Sequence, residues 1–199
     1  VFKVRRTKIE ISPVEYNVSK GVGYIRLSSF SDKASDKVKE ALDYIDTVGT
    51  KKVILDLRDN PGGYLDEAVK VASLFVPKGP IVHIKDKYGN VQSYYSNLEK
   101  TKYELVVLVN HNSASASEIV AAAVKDTKAG CIIGTKTYGK GTVQNIVTLP
   151  KGDAMKLTVA EYFSPKWVKI NGVGVTPDLI VENETFDTQL EKAINYLNN

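Results

Sequence analysis

The sequence predicts an α/β domain, and three observations carry that expectation. Short apolar runs, notably 53–57 and 105–109, have the length and composition of buried strands. They alternate along the chain with segments of helical spacing, such as 34–48 and 119–124. The joints between them are rich in Gly, Pro, Asn and Ser, the residues that turn a chain. A length of 199 residues is enough for one domain with a real core. The net charge of +4 comes from scattered residues, and Arg5-Arg6-Thr7-Lys8 is too short a patch to predict nucleic-acid binding. A lone Cys131 excludes an internal disulfide, and two histidines, His83 and His111, without Cys/His spacing predict neither a metal site nor a cofactor. No apolar run is long enough to span a membrane as a helix.

In order, 1–4, 8–11 and 14–18 alternate like strands, and 21–27 reads as the next strand. Ser31 could cap a helix whose inner face is Ala34, Val38, Ala41, Leu42, Ile45 and Val48, with Gly49 as its stop. The strand at 53–58 runs into Asp59-Asn60-Pro61-Gly62-Gly63, and a helix follows over 64–76. A Gly-Gly turn at a helix start exposes backbone N–H groups, which suits an anion or a developing oxyanion; a plain connection is the simpler use of it. Residues 81–84 and 91–95 flank Tyr88-Gly89-Asn90 and predict a hairpin. Its tyrosines, Tyr88, Tyr94 and Tyr95, could line a groove or merely sit half-exposed on strands. Residues 155–163 alternate as a strand, 171–178 form a Gly-rich loop, and 186–197 close the chain as a helix.

Two stretches stand apart from this pattern. Asn110-His111-Asn112-Ser113-Ala114-Ser115-Ala116-Ser117-Glu118-Ile119 places three serines where a core strand becomes a helix. A helix N-terminus supplies free N–H groups and positive potential, a good setting for a nucleophile, although serines also cap helices there. Thr137-Tyr138-Gly139-Lys140-Gly141-Thr142-Val143-Gln144 sets a lysine between two glycines, which permit a close backbone approach that a surface lysine does not need.

Together the two stretches resemble the C-terminal processing (tail-specific) peptidases, a group of Ser–Lys proteases. The resemblance implies Ser115 as nucleophile, Lys140 as base and Gln144 as its polar support. It also implies that the N–H groups of Gly62, with Gly63 in reserve, and of Ala116 hold the oxyanion. The α/β domain becomes a crotonase/ClpP-like stack of β-β-α units with an N-terminal strand segment: residues 1–20 would join a preceding PDZ domain to a protease core at 21–199. The partner implied is an unfolded or tail-exposed protein substrate. The family pattern further implies a homo-oligomer working outside the cytoplasm, in the bacterial envelope or secreted.

The chemistry is consistent with that pattern. A serine hydroxyl needs a base to take its proton, and a lysine serves only when neutral. Desolvation away from carboxylates can bring a lysine from about 10.4 to about 7–8, where it works as a base. A glutamine beside it orients the amine without stabilising its charge. The alternatives use the same residues less well. A triad through His83 or His111 has poor placement, since His111 is four residues before Ser115; Lys136 lacks the flanking glycines. A peptide-binding module without chemistry would waste Ser115, Lys140 and Gln144, and an acyl-CoA enzyme rests on fold alone.

Overall fold

The computed structural model describes residue 2, residues 12–183 and residues 186–199. The strand-like alternation over 1–4 and 8–11 therefore lies outside the described residues, Phe2 excepted. Among the described residues, ten strands and four helices follow one another as β1 (Val14–Ser19), β2 (Val22–Leu27), α1 (Ala34–Val48), β3 (Lys52–Asp56), α2 (Leu65–Ser73), β4 (Gly79–Asp86), β5 (Val91–Ser96), β6 (Glu104–Val109), α3 (Ala116–Thr127), β7 (Gly130–Gly134), β8 (Thr142–Thr148), β9 (Ala154–Phe163), β10 (Leu179–Ile180) and α4 (Thr188–Asn198). They form a six-stranded sheet in the order β1-β2-β3-β6-β7-β10 and a four-stranded sheet in the order β5-β4-β9-β8.

The larger sheet explains the uninterrupted apolar runs. Its strands are parallel from β2 through β10, with β1 antiparallel at one edge. Parallel strands are buried on both faces, so both sets of alternating side chains must be apolar. Val53, Leu55, Leu105, Val107 and Val109 join the main core with α1, α2 and α3. Ile54, Val106, Leu108 and Ile133 point the other way, onto Ala193 and Leu197 of α4.

The four-stranded sheet packs its inner face toward α2 and α3. Along β4 and β9 the inward residues Val82, Ile84 and Tyr162 belong to the core, with Tyr94 of β5 packed against it. His83 points to the opposite face, where its ring stacks on Trp167 at 4.1 Å between centroids and 3° between planes. The far ends of β8 and β9 leave the core, and Ile146, Val147, Met155 and Leu157 are exposed there.

Two element ends differ from the sequence expectation. Helix α1 starts after Lys33, which takes a left-handed conformation at φ 62°, and not at a Ser31 cap; Ser31 instead accepts the Ala34 N–H through its backbone oxygen. Gly49 does stop the helix, at φ 85°. Helix α2 ends at Ser73, because residues 74–76 close back in tight turns onto Val71 and Ala72. Strand β10 is a short parallel addition beside β7 that no periodicity announced.

Candidate active site

The three serines of the 110–119 stretch have different fates. Ser113 is fully buried; its hydroxyl donates to the Leu57 carbonyl at 2.8 Å and accepts the Asn110 N–H at 2.9 Å. Ser117 is fully buried too, donating to the Asn60 carbonyl at 2.9 Å. Both are consumed in joining the start of α3 to the turn after β3. Ser115 is half-buried and sits at the N-cap with φ 56° and ψ −113°, a conformation an L-residue seldom takes. Strain of that kind costs on the order of 1–3 kcal/mol and persists only where surrounding bonds enforce it.

Those bonds centre on Asn60 and Glu118, both with no exposed surface. The Asn60 side chain donates to the Leu27 carbonyl at 2.8 Å and accepts the Gly62 N–H at 2.9 Å, while its backbone oxygen accepts the Ala114 N–H at 3.0 Å. One residue thus gathers the end of β2, the Gly-Gly turn and the approach to Ser115. Gly62, at φ 106°, lies so close that a Cβ on it would meet the Ser115 Cβ and the Ala114 oxygen at 2.8 Å and the Ala116 nitrogen at 3.0 Å.

Glu118, in the first turn of α3, joins the serine stretch to the lysine stretch. Its Oε2 accepts the Ser115 N–H at 2.9 Å and the Lys140 N–H at 2.8 Å. Its Oε1 accepts the Gly139 N–H at 2.7 Å and the Thr137 hydroxyl at 2.6 Å. Four donors saturate the carboxylate, and the helix N-terminus adds favourable potential. The backbones of Ser115 and Lys140 therefore share one oxygen atom. Tyr138 adds a bond from its N–H to the Ser113 carbonyl at 3.1 Å.

The glycines around Lys140 have a concrete use. Gly139 takes φ 90°, and its carbonyl accepts the Gly172 N–H at 2.8 Å. A Cβ on Gly141 would lie 2.2 Å from the Asn171 nitrogen. The 171–175 loop thus packs against both glycines, and Val175 closes onto the Thr137 hydroxyl at 2.7 Å.

The Lys140 side chain is half-buried, and among the described residues no carboxylate lies within ion-pairing distance of its amine. Gln144 stands on β8 opposite Thr158, just past a β-bulge; its side chain is exposed and makes no hydrogen bond to Lys140 among the described residues. Ala116 is buried at the first position of α3, where its N–H is one of the donors a helix leaves unpaired. Lys136 and His111 are exposed, and His83 is engaged on the outer face with Ser93 at 2.6 Å. None of the three is bonded to Ser115 among the described residues.

One residue of this arrangement escaped the sequence reasoning. Glu118 stood inside the serine motif, but three of its four donors come from 19 to 22 positions further on. Asp59 holds the same rim: its carboxylate accepts the side-chain amides of Asn110 at 2.9 Å and Asn112 at 2.8 Å, which keep its carboxyl below the usual range.

Comparison with known proteins matches residues 21–181 to the model of peptidase family S41. The chain is 42% identical over 187 residues to a carboxy-terminal-processing protease of Bartonella bacilliformis, covering 90% of this chain and 43% of that protein. It is 40% identical over 187 residues to a carboxyl-terminal-processing protease of Synechocystis, covering 91% and 44% respectively. The chain thus spans under half the length of these curated relatives. Among solved structures, a photosystem II D1 C-terminal processing protease superposes with a TM-score of 0.82 at 35% identity, over 98% of this chain and 54% of that one. A Bacteroides fragilis S41 protease, at 20% identity and a TM-score of 0.78, shares the fold.

Proposed function

This chain belongs to peptidase family S41, and from that membership we propose that it is the hydrolytic core of a serine endopeptidase cutting proteins near their C-terminal tails. The observation that carries the proposal is the buried Glu118 carboxylate, which holds the backbones of Ser115 and Lys140 on a single oxygen. The same carboxylate closes the capping box of α3, so the cap of the serine helix and the anchor of the lysine turn are one group.

In the proposed reaction the Ser115 Oγ attacks the scissile carbonyl carbon while its proton passes to the neutral Lys140 amine. The tetrahedral oxyanion lies against the Ala116 N–H and a donor of the Gly-Gly turn. The Gly62 N–H donates a hydrogen bond to the Asn60 Oδ1 in this structure, so an oxyanion there shares or displaces that bond. The Gly63 N–H makes no hydrogen bond among the described residues and is the alternative donor. The C–N bond then breaks, the leaving amine takes the proton from Lys140, and the acyl group stays on Ser115. Water, deprotonated by Lys140, attacks the ester, releasing the acid and restoring the serine. Gln144 supports the amine by turning inward from the edge of β8, a rotation its exposure leaves open. Loss of one oxyanion donor typically costs about 3–4 kcal/mol of transition-state stabilisation.

Cleavage of an unstructured protein with an apolar C-terminus tests the proposal in the full-length protein. Ser115→Ala and Lys140→Ala are expected to fold as the parent does and to lose turnover by at least about 10³-fold. Parental turnover in Lys140→Ala would remove the lysine from the reaction.

A further inference from the structure

The lysine turn is held in part by chain that comes after it. Strand β9 ends at Phe163, and the chain reverses over 164–168, where the Ser164 N–H donates to the Val168 carbonyl at 2.9 Å. Lys169 then bridges back to Phe163, antiparallel. His83 of β4 occupies the other flank of Phe163, so the returning segment lies on the flank that β8 uses. Thr142 of β8 is opposite Glu161, and the same register would bring Lys140 opposite Phe163. Lys169 holds that place instead. The chain at Lys140 and Gly141 is therefore turned off β9, tied to it by the Tyr162 N–H, which donates to the Gly141 carbonyl at 2.8 Å.

The antiparallel return sets Asn171 across from Glu161, and the two side chains meet. The Asn171 amide donates to Glu161 Oε1 at 2.9 Å, where the Lys169 ammonium also arrives at 3.1 Å. The amide first and the ammonium second hold the Glu161 carboxyl below its usual range. The Asn171 backbone presses on the lysine turn, its nitrogen 2.2 Å and its Cα 2.8 Å from where a Gly141 Cβ would stand. One residue further on, the Gly172 N–H donates to the Gly139 carbonyl at 2.8 Å. Both glycines beside Lys140 thus lean on one short segment. Glycines leave the backbone free to rotate, so the direction of Lys140 has to be imposed by contacts of this kind.

We propose that Asn171 is a positioning residue for Lys140: its amide, anchored on Glu161, wedges the returning segment against Gly141 and so keeps the lysine out of the sheet and available to Ser115. The inference rests on the Ser–Lys reaction proposed above. Glu118 fixes the start of the turn through the Gly139 and Lys140 N–H groups, and Asn171 fixes its end from β9. A half-buried amide on a charged acceptor makes a strong bond. The Lys169 side chain is 50% exposed, and its ion pair with the same oxygen contributes little. Asn171 therefore carries the anchoring.

The test is a mutant cycle on Asn171 and Glu161 in the full-length protein, read as kcat, KM and melting temperature on the same unstructured substrate, with Lys140→Ala in parallel. Asn171→Ala and Glu161→Ala are each expected to lower kcat about tenfold, the effect of one bond to a charged group. KM should stay parental, since neither side chain is placed on the substrate. The double variant should be no slower than either single one, because all three lack the same bond. Glu161→Gln keeps an oxygen for the Asn171 amide and should stay within about twofold of the parent, as should Lys169→Met. A parental kcat in Asn171→Ala overturns the proposal. So do losses that multiply in the double variant, a Glu161→Gln as slow as Glu161→Ala, or a change confined to KM. If the alanine variants fold poorly, Asn171→Asp decides: it sets two carboxylates together and should be slow, and adding Glu161→Gln reverses the bond and should restore kcat. Failure of that rescue overturns the proposal. Turnover that persists in Lys140→Ala overturns the lysine reaction itself, whereas an inert Lys140→Ala beside a fully active Asn171→Ala overturns only the role of Asn171.

Discussion

At the residue scale the site depends on atoms that are absent as much as on those present. Gly62 leaves room for the Ser115 turn that any side chain would occupy, and its φ of 106° excludes other residues independently. Gly62→Ala is expected to lower stability by about 1–3 kcal/mol, because it combines a forbidden backbone conformation with contacts too short for carbon. Turnover should fall on the order of 10²-fold through displacement of Ser115. Thermal unfolding and kcat measured on one preparation check both; an active, fully stable variant would show that the turn yields without disturbing the serine. The serines teach a related lesson. Composition alone did not separate the three and only the family resemblance pointed to Ser115; in the fold, Ser113 and Ser117 spend their hydroxyls on carbonyls of another segment.

At the scale of elements, α3 carries the arrangement. Its first turn holds Ser115, Ala116 and Glu118, and its packing against α2 and β4 fixes all three. Glu118→Gln keeps the shape but swaps one acceptor oxygen for an NH₂ that must face N–H donors. The expected cost is about 1–3 kcal/mol of stability, the penalty of an unmet buried polar group. A loss of turnover near 10²-fold should accompany it as the lysine turn drifts. Electrophile labelling of Ser115 offers a check, because the variant should label slowly even when folded; parental labelling would free the carboxylate of any such duty. The strand–turn–helix around Ser115 was legible in the sequence because its signals are local: an apolar run, a cluster of small residues, then helical spacing. Partners that meet across the fold were not. The donors that Glu118 takes from the lysine stretch and the membership of β4, β5, β8 and β9 in a second sheet are set by tertiary packing, which no periodicity encodes. Gln144 shows the same limit, since its place after Lys140 was plain and the bulge that governs its direction was not.

At the scale of the whole molecule, ion pairs tie helix ends to the larger sheet. Arg58, just after β3, donates to Asp56 at 2.6 Å and to Asp187 at the cap of α4 at 2.6 Å. In the last turn of α1, Asp46 binds Lys51 at 2.8 Å, Tyr103 at 3.1 Å and Lys102. Burial works against the Asp46 charge, and these bonds outweigh it, bringing its carboxyl from 3.8 to about 2. A carboxyl lowered by folding binds protons more readily in the unfolded chain. Its stabilisation is present above the ordinary value and lost as pH falls through about 2. Melting temperature followed from pH 7 downward should therefore separate the parent from Asp46→Asn at neutral pH and bring them together in acid. A gap of constant size would mean the asparagine acts through something other than charge.

The bonds around Asn60 and Glu118 also impose an order in time. They connect Leu27, Gly62, Ala114, Ser115 and Lys140, residues drawn from most of the first 140 positions of the chain. A chain emerging from the ribosome can form β2, β3 and their helices early, yet it cannot complete the Ser115 turn until the lysine segment has arrived. The geometry that the proposed reaction needs at Ser115 and Lys140 is thus absent during synthesis and arrives together with the finished fold.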